Sequence, residues 1–158
     1  MVLEKEDCRV STKLMAVEPD VFILKVKSDY SLPLYQFSTR VFQVLEQFNV
    51  AVVRTISSGV CYTLIINKLC QKEDLCNALS KFAKVDLFTG CAAIFMKWKD
   101  RLLANEFAIQ LNYHIPVMLI SYDIELCSFC ICVDRKNINF VQKIIPCFQS
   151  YKCDKTIK

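Results

Sequence analysis

Apolar and polar residues recur along this chain with two periods, and the two alternate in a regular order. Residues 1–19 show no clean period, end in Glu18-Pro19, and read as a segment leading in from an upstream domain. Residues 20–28 (DVFILKVKS) are apolar and β-branched, and Leu24 and Val26 alternate with Lys25 and Lys27. That period of two predicts a strand. The polar, proline-containing stretch DYSLPLYQ predicts a loop. From Phe37 the period turns helical. Phe37, Val41, Val44, Leu45 and Phe48 fall on one stripe, and Arg40, Gln43, Glu46 and Gln47 lie off it, which predicts an amphipathic helix. Residues 49–57 (NVAVVRTIS) and 60–66 (VCYTLII) predict two strands joined as a hairpin at Ser58-Gly59. Helical spacing returns from Asp74 to Lys84 through Leu75, Ala78, Leu79 and Phe82, and VDLFT (85–89) predicts a short strand. The order is βαββαβ.

The same order then begins again. CAAIFMKW (91–98) predicts a strand, and Asp100 is placed to cap a helix carrying Leu103, Ala104, Phe107, Ala108 and Leu111. HIPVMLIS (114–121) and LCSFCICV (126–133) predict two more strands. Asp134 is placed to cap a last helix through Ile138, Val141, Ile145 and Phe148, which Pro146 is expected to shorten. FQSYKCD then predicts a final strand, free to join the first unit's sheet. A period of about 70 residues is too long for a solenoid and implies two copies of one small unit. The expected organisation is a lead-in over 1–19, a first unit over 20–89 and a second over 90–158. The fold class is α+β, an α/β sandwich of tandem ferredoxin-like βαββαβ units. Each has an antiparallel sheet with its helices on one face.

Composition narrows the chemistry. The chain of 158 residues is 54% hydrophobic and 23% charged, which excludes general disorder. It has two glycines, Gly59 and Gly90, far apart. Phosphate-binding loops of the GxxxxGKS or GxGxxG kind need clustered glycines, so this chain has neither. The net charge of +4 comes from scattered residues rather than a dense basic face, and no nucleic-acid partner is expected. No uncharged apolar run reaches membrane-spanning length, so no membrane partner is expected either. The N-terminal MVLEKEDCRV is charged and lacks an apolar core of the secretory kind. With ten cysteines, several inside apolar runs, this implies reduced thiols and a cytoplasmic location. Cys127, Cys130 and Cys132 would fall on two faces of one strand and could not converge on a single ion, and His114 is the only histidine. No metal site and no catalytic residue are expected.

The first half resembles the first of the tandem ACT domains that close the C-terminus of aspartokinases. The residues that carry the resemblance are KVKS (25–28), SL (31–32), QF (36–37), RVFQVLEQFNVAVV (40–53), SSGV (57–60) and YTLIIN (62–67). It extends through VDLFTGCAAI (85–94) and HIPVMLIS (114–121) to VQKI (141–144), covering about residues 20–148. The resemblance implies the regulatory portion of an aspartate kinase. ATP-dependent phosphorylation of aspartate, with its ATP and magnesium, would belong to an upstream kinase domain outside this chain. It also implies a homodimer through the first ACT unit, with an amino-acid effector (lysine, threonine or methionine) at the interface. The effector site would comprise Ser31, Leu32, Leu34, Gln36, Phe37 and Ser38, with Val52 and Val53 opposite and Ser57 in the turn. Family members carry Asp at the position of Val53, Glu at Gly59, Gly at Gln36 and Leu at Ser38. Without a carboxylate at the matched positions, a buried lysine ammonium would lack its partner, so a changed or lost effector is expected. The alternative is a stand-alone ACT-like or other ferredoxin-like binding protein with lost or altered specificity. A small acyl-phosphate hydrolase would need an Arg–Asn pair in a glycine-rich anion loop. An RNA binder would need a basic sheet face, and beside Phe129 there is none.

Overall fold

The computed structural model describes residues 16–97 and 101–155. Its elements are β1 (Ala16–Ser28), α1 (Leu34–Gln47), β2 (Val52–Ser57), β3 (Cys61–Ile66), α2 (Lys72–Ser80), β4 (Ala83–Lys97), α3 (Arg101–Asn112), β5 (Val117–Asp123), β6 (Ser128–Asp134) and α4 (Ile138–Lys155). A 3-10 turn, Arg135–Asn137, leads into α4. They form two units, one of Asp20–Cys91 and one that joins residues up to Pro19 to those from Ala92 onward. The class is α+β, as the repeat predicts.

In the first unit the strand order is β2-β3-β1-β4. β1 and β3 run antiparallel with Phe22 opposite Ile66, Leu24 opposite Leu64 and Val26 opposite Tyr62. Cross-strand partners share a face, so these six side chains make one apolar surface. The α1 stripe of Phe37, Val41, Val44 and Leu45 covers it, together with Leu75 and Leu79 of α2. Both helices therefore lie on one face of the sheet. Gly59, at φ 74°, closes the β2–β3 hairpin, where the Val60 N–H donates to the Ser58 carbonyl at 2.9 Å. A Cβ there would meet nothing within 4 Å, so Gly59→Ala tests backbone conformation alone. A loss of about 1 kcal/mol is expected in urea unfolding, from the left-handed backbone that an L-residue resists. No change would show that the turn relaxes freely.

In the second unit β6 lies between β4 and β5. Ile94, Met96, Phe129, Ile131 and Val133 form the sheet side of its core. Ala104, Phe107, Ala108 and Leu111 of α3, with Val141 and Ile145 of α4, form the helix side. Asp134 caps the 3-10 turn that leads into α4 rather than α4 itself, its side chain accepting from the Lys136 N–H at 3.0 Å.

Three further expectations need correction. Residues 16–19 are strand rather than lead-in, because Val17 packs against the second core. The segments 85–89 and 91–98 are not separate strands: β4 runs through Gly90, whose φ of 67° absorbs the local distortion. The final strand over FQSYKCD is absent, and α4 continues through Pro146 to Lys155, so Pro146 does not shorten it. A proline removes only its own N–H from the ladder, and its carbonyl still accepts, so flanking turns can carry a helix past it. The expected cap Asp100 lies outside the described residues, as do residues 1–15.

Cys61, Cys70, Cys76, Cys91, Cys127, Cys130 and Cys132 are not joined in disulfides. Cys127 precedes β6 in a turn at φ 48°, while Cys130 and Cys132 are buried within it. Burial raises the Cys76 thiol above its ordinary pKa, which depletes the reactive thiolate. Iodoacetamide at mildly alkaline pH is therefore expected to label exposed Cys70 before Cys76. Buried Cys91, Cys130 and Cys132 should follow only on unfolding. Mass spectrometry of timed digests reads the order, and early labelling of Cys130 would contradict it.

Candidate functional site

The loop from β1 to α1 is built by short-range hydrogen bonds. The buried Ser28 donates its N–H to the Val60 carbonyl at 2.8 Å, tying the end of β1 to the β2–β3 hairpin. Its Oγ accepts from the Tyr30 N–H at 3.0 Å, and Tyr30 turns the chain at φ 64°. Asp29 Oδ1 accepts from the Ser31 N–H at 2.9 Å and also from the Ser31 hydroxyl. These bonds, the hydroxyl's first, hold the Asp29 carboxyl below its ordinary range. No ion pair to this carboxylate is found among the described residues.

Helix α1 then starts after Pro33, whose carbonyl accepts from the Phe37 N–H at 2.9 Å. No side chain caps this end and no acidic residue occupies its first turn. The N–H groups of Leu34, Tyr35 and Gln36 have no acceptor inside the helix, and the end carries the positive pole of the helix dipole. Five residues ahead of Leu34 in the chain is an exposed carboxylate, Asp29.

The structure separates the residues that the sequence grouped. Ser31, Leu34 and Gln36 are exposed around the loop and helix start, and Leu32 is half-buried against the core. Phe37 is fully buried, with ring centroids 6.0 Å from Tyr62 and 6.2 Å from Phe82, so it is a core anchor. Ser38 is hydrogen-bonded to the Tyr62 hydroxyl at 2.7 Å. Ser57 pairs with Tyr62 at the hairpin end of β2, the end to which the β1–α1 loop is tied. Val52 and Val53 are elsewhere. Val52 pairs with Ile66, which pairs with Phe22, at the opposite end of the sheet from Ser28. Six strand steps put that pair roughly 20 Å from the loop within one chain. Val53 is bulged out of register between Val52 and Arg54 and is exposed. One chain thus does not bring Val52 and Val53 to the loop.

A groove that the sequence did not disclose lies beside α1. It is open, has a volume of about 650 Å³, and is lined by Leu32, Tyr35, Gln36, Thr39, Arg40, Gln43, Lys81 and Phe82. Of the expected site residues it takes Leu32 and Gln36. The Arg40 guanidinium stands over the Phe82 ring, 6.0 Å from its centroid. Asp29 and Tyr62 were missed as well. Asp29-Tyr-Ser31 does carry a legible signal, an aspartate two residues before a serine in a turn.

No group of three or more His, Cys, Asp or Glu residues among the described residues could hold a metal ion. No helix among them is long and apolar enough to cross a membrane.

No protein-family model and no curated protein matches the sequence. Solved structures do match. A chain assigned as the C-terminal regulatory domain of aspartate kinase from Porphyromonas gingivalis W83 superposes with a TM-score of 0.69 at 21% identity, covering 81% of this chain and 90% of that one. The regulatory subunit of aspartate kinase from Thermus flavus gives 0.67 at 10% identity, covering 85% and 96%. E. coli aspartokinase III in complex with lysine and aspartate gives 0.64 at 18% identity, covering 80% and 30%. The chain therefore spans under a third of that enzyme's length but nearly all of the regulatory chains. At these identities the likeness is one of fold, and the fold is an ACT-type α+β arrangement. More particularly, it is the fold of the aspartokinase regulatory region.

Proposed function

We propose that this chain is the regulatory module of an aspartate kinase. It would bind an amino-acid effector beside the β1–α1 loop of the first unit and pair there with a second copy. The observation that carries the reading is the match of both units to nearly the whole of a regulatory chain, 90% of it at a TM-score of 0.69. The site chemistry supports it. An uncapped helix start suits a ligand carboxylate, and Asp29 Oδ2 suits an ammonium. The two groups together fit a zwitterion. Val52 and Val53, distant within one chain, would reach the ligand only from a partner protomer. E. coli aspartokinase III was solved with lysine and aspartate, which makes an amino acid the natural ligand class to try.

In this reading effector binding favours one arrangement of paired chains over another, and an attached kinase domain senses the difference. Phosphoryl transfer, with ATP and magnesium, takes place in that kinase domain. Calorimetric titration with lysine, threonine and methionine tests the reading, with light scattering for mass. The expected result is a dimer that one of the three saturates. A monomer that takes up none of them overturns it.

A further inference from the structure

We propose that the groove between α1 and the end of α2 binds a small organic anion, a carboxylate or phosphate borne on a flat apolar body. This goes beyond the effector reading and concerns a groove whose charged part, Arg40 and Lys81, lies outside the β1–α1 loop; the two share Leu32, Tyr35 and Gln36.

The argument begins with charge. Arg40 and Lys81 come from separate elements and line one groove, with no carboxylate among its lining residues. Neither cation has an ion pair among the described residues. The ring of Phe82 positions the guanidinium without neutralising it. Two cations on the wall of one concavity give it a positive potential that favours an anion. A guanidinium offers a planar fork for carboxylate or phosphate, and an ammonium adds a point charge.

The rest of the lining suits an apolar body. Tyr35 is 72% exposed, and Leu32 and Phe82 supply further apolar surface. Gln36 and Gln43 supply amides; the Gln36 amide reaches only its neighbour Tyr35, at 3.4 Å. The volume of about 650 Å³ lies within the range of small-molecule sites. A free amino acid fits poorly, because its ammonium would meet two cations and no acid.

The test uses the whole chain and nitrogen-15 NMR, with phenyl phosphate, benzoate, inorganic phosphate, phenol and benzylammonium as probes. Saturable shifts at residues 39–43 and 81–82, outside the start of α1, are expected with phenyl phosphate or benzoate, and none with phenol or benzylammonium. The tighter of the two anions identifies the headgroup. Arg40→Gln with Lys81→Gln is expected to weaken binding about tenfold, as the loss of charge-assisted contacts requires. Lys81→Gln alone, at an exposed position, gives a partial loss if the double variant does not fold. Arg40→Lys keeps the charge and should retain part of the affinity. Rising salt should weaken binding throughout. Linear shifts, shifts centred elsewhere, or affinity unchanged in both glutamine variants overturn the proposal. None of these results depends on whether an amino acid binds at the β1–α1 loop.

Discussion

Phe37→Ala is expected to unfold the first unit under conditions in which the native chain is folded. Phe37 is 0% exposed and stands where the start of α1, β3 and the end of α2 meet, its ring against those of Tyr62 and Phe82. Truncating a buried phenylalanine costs about 3–5 kcal/mol in lost transfer energy and residual cavity. The total stability of a domain is only about 5–15 kcal/mol. The melting temperature of this unit should fall by more than about 10 °C in calorimetry. Phe42→Ala is the control. Phe42 lies on the same helix but is 44% exposed, with one edge-to-face contact to Tyr62 at 5.3 Å. It should lose about 1 kcal/mol. Equal shifts in the two variants would place Phe37 outside the core and undo the account of how α1 docks.

That docking was readable in the residues, because a helical stripe of Phe37, Val41, Val44 and Leu45 has only one way to bury itself on a sheet. The same holds for the strands, whose alternation survives in the burial of Leu24 and Val26 against exposed Lys27. What the sequence hid had two causes. One is that local breakers were weighed by propensity, while tertiary context decided. Gly90 read as a boundary, yet β4 runs through it, and Pro146 read as a stop, yet α4 passes it. The other is that juxtaposition depends on pairing register and helix packing. Val52, paired with Ile66, and the bulged Val53 beside it lie at the far end of the sheet from the β1–α1 loop of their own chain, a distance that only the register reveals. Arg40 and Lys81 share a groove only because α1 and α2 lie side by side. No spacing rule joins residues so far apart along a chain.

Asp29→Asn is expected to abolish most of the affinity for whichever amino acid saturates the first unit. The substitution is conservative in shape. An asparagine Oδ1 still accepts from the Ser31 N–H, so the turn persists and circular dichroism should be unchanged. What disappears is the negative charge opposite the ligand ammonium. A hydrogen bond to a charged partner is worth about 1.5–3 kcal/mol, so affinity should fall roughly 10- to 100-fold in calorimetry. The pH dependence carries a second signature. Bonds from Ser31, its hydroxyl foremost, hold the Asp29 carboxyl below its ordinary range. The carboxylate therefore persists while free aspartates protonate. Native affinity should hold as pH falls through the usual carboxylate range and be lost only below it, when Asp29 itself takes up a proton. The weaker affinity of Asp29→Asn should show no such step, because an amide has no proton to gain. A variant that binds as tightly as the native chain would move the ammonium elsewhere, and the most direct candidate would be the carbonyls of β2 in the partner protomer.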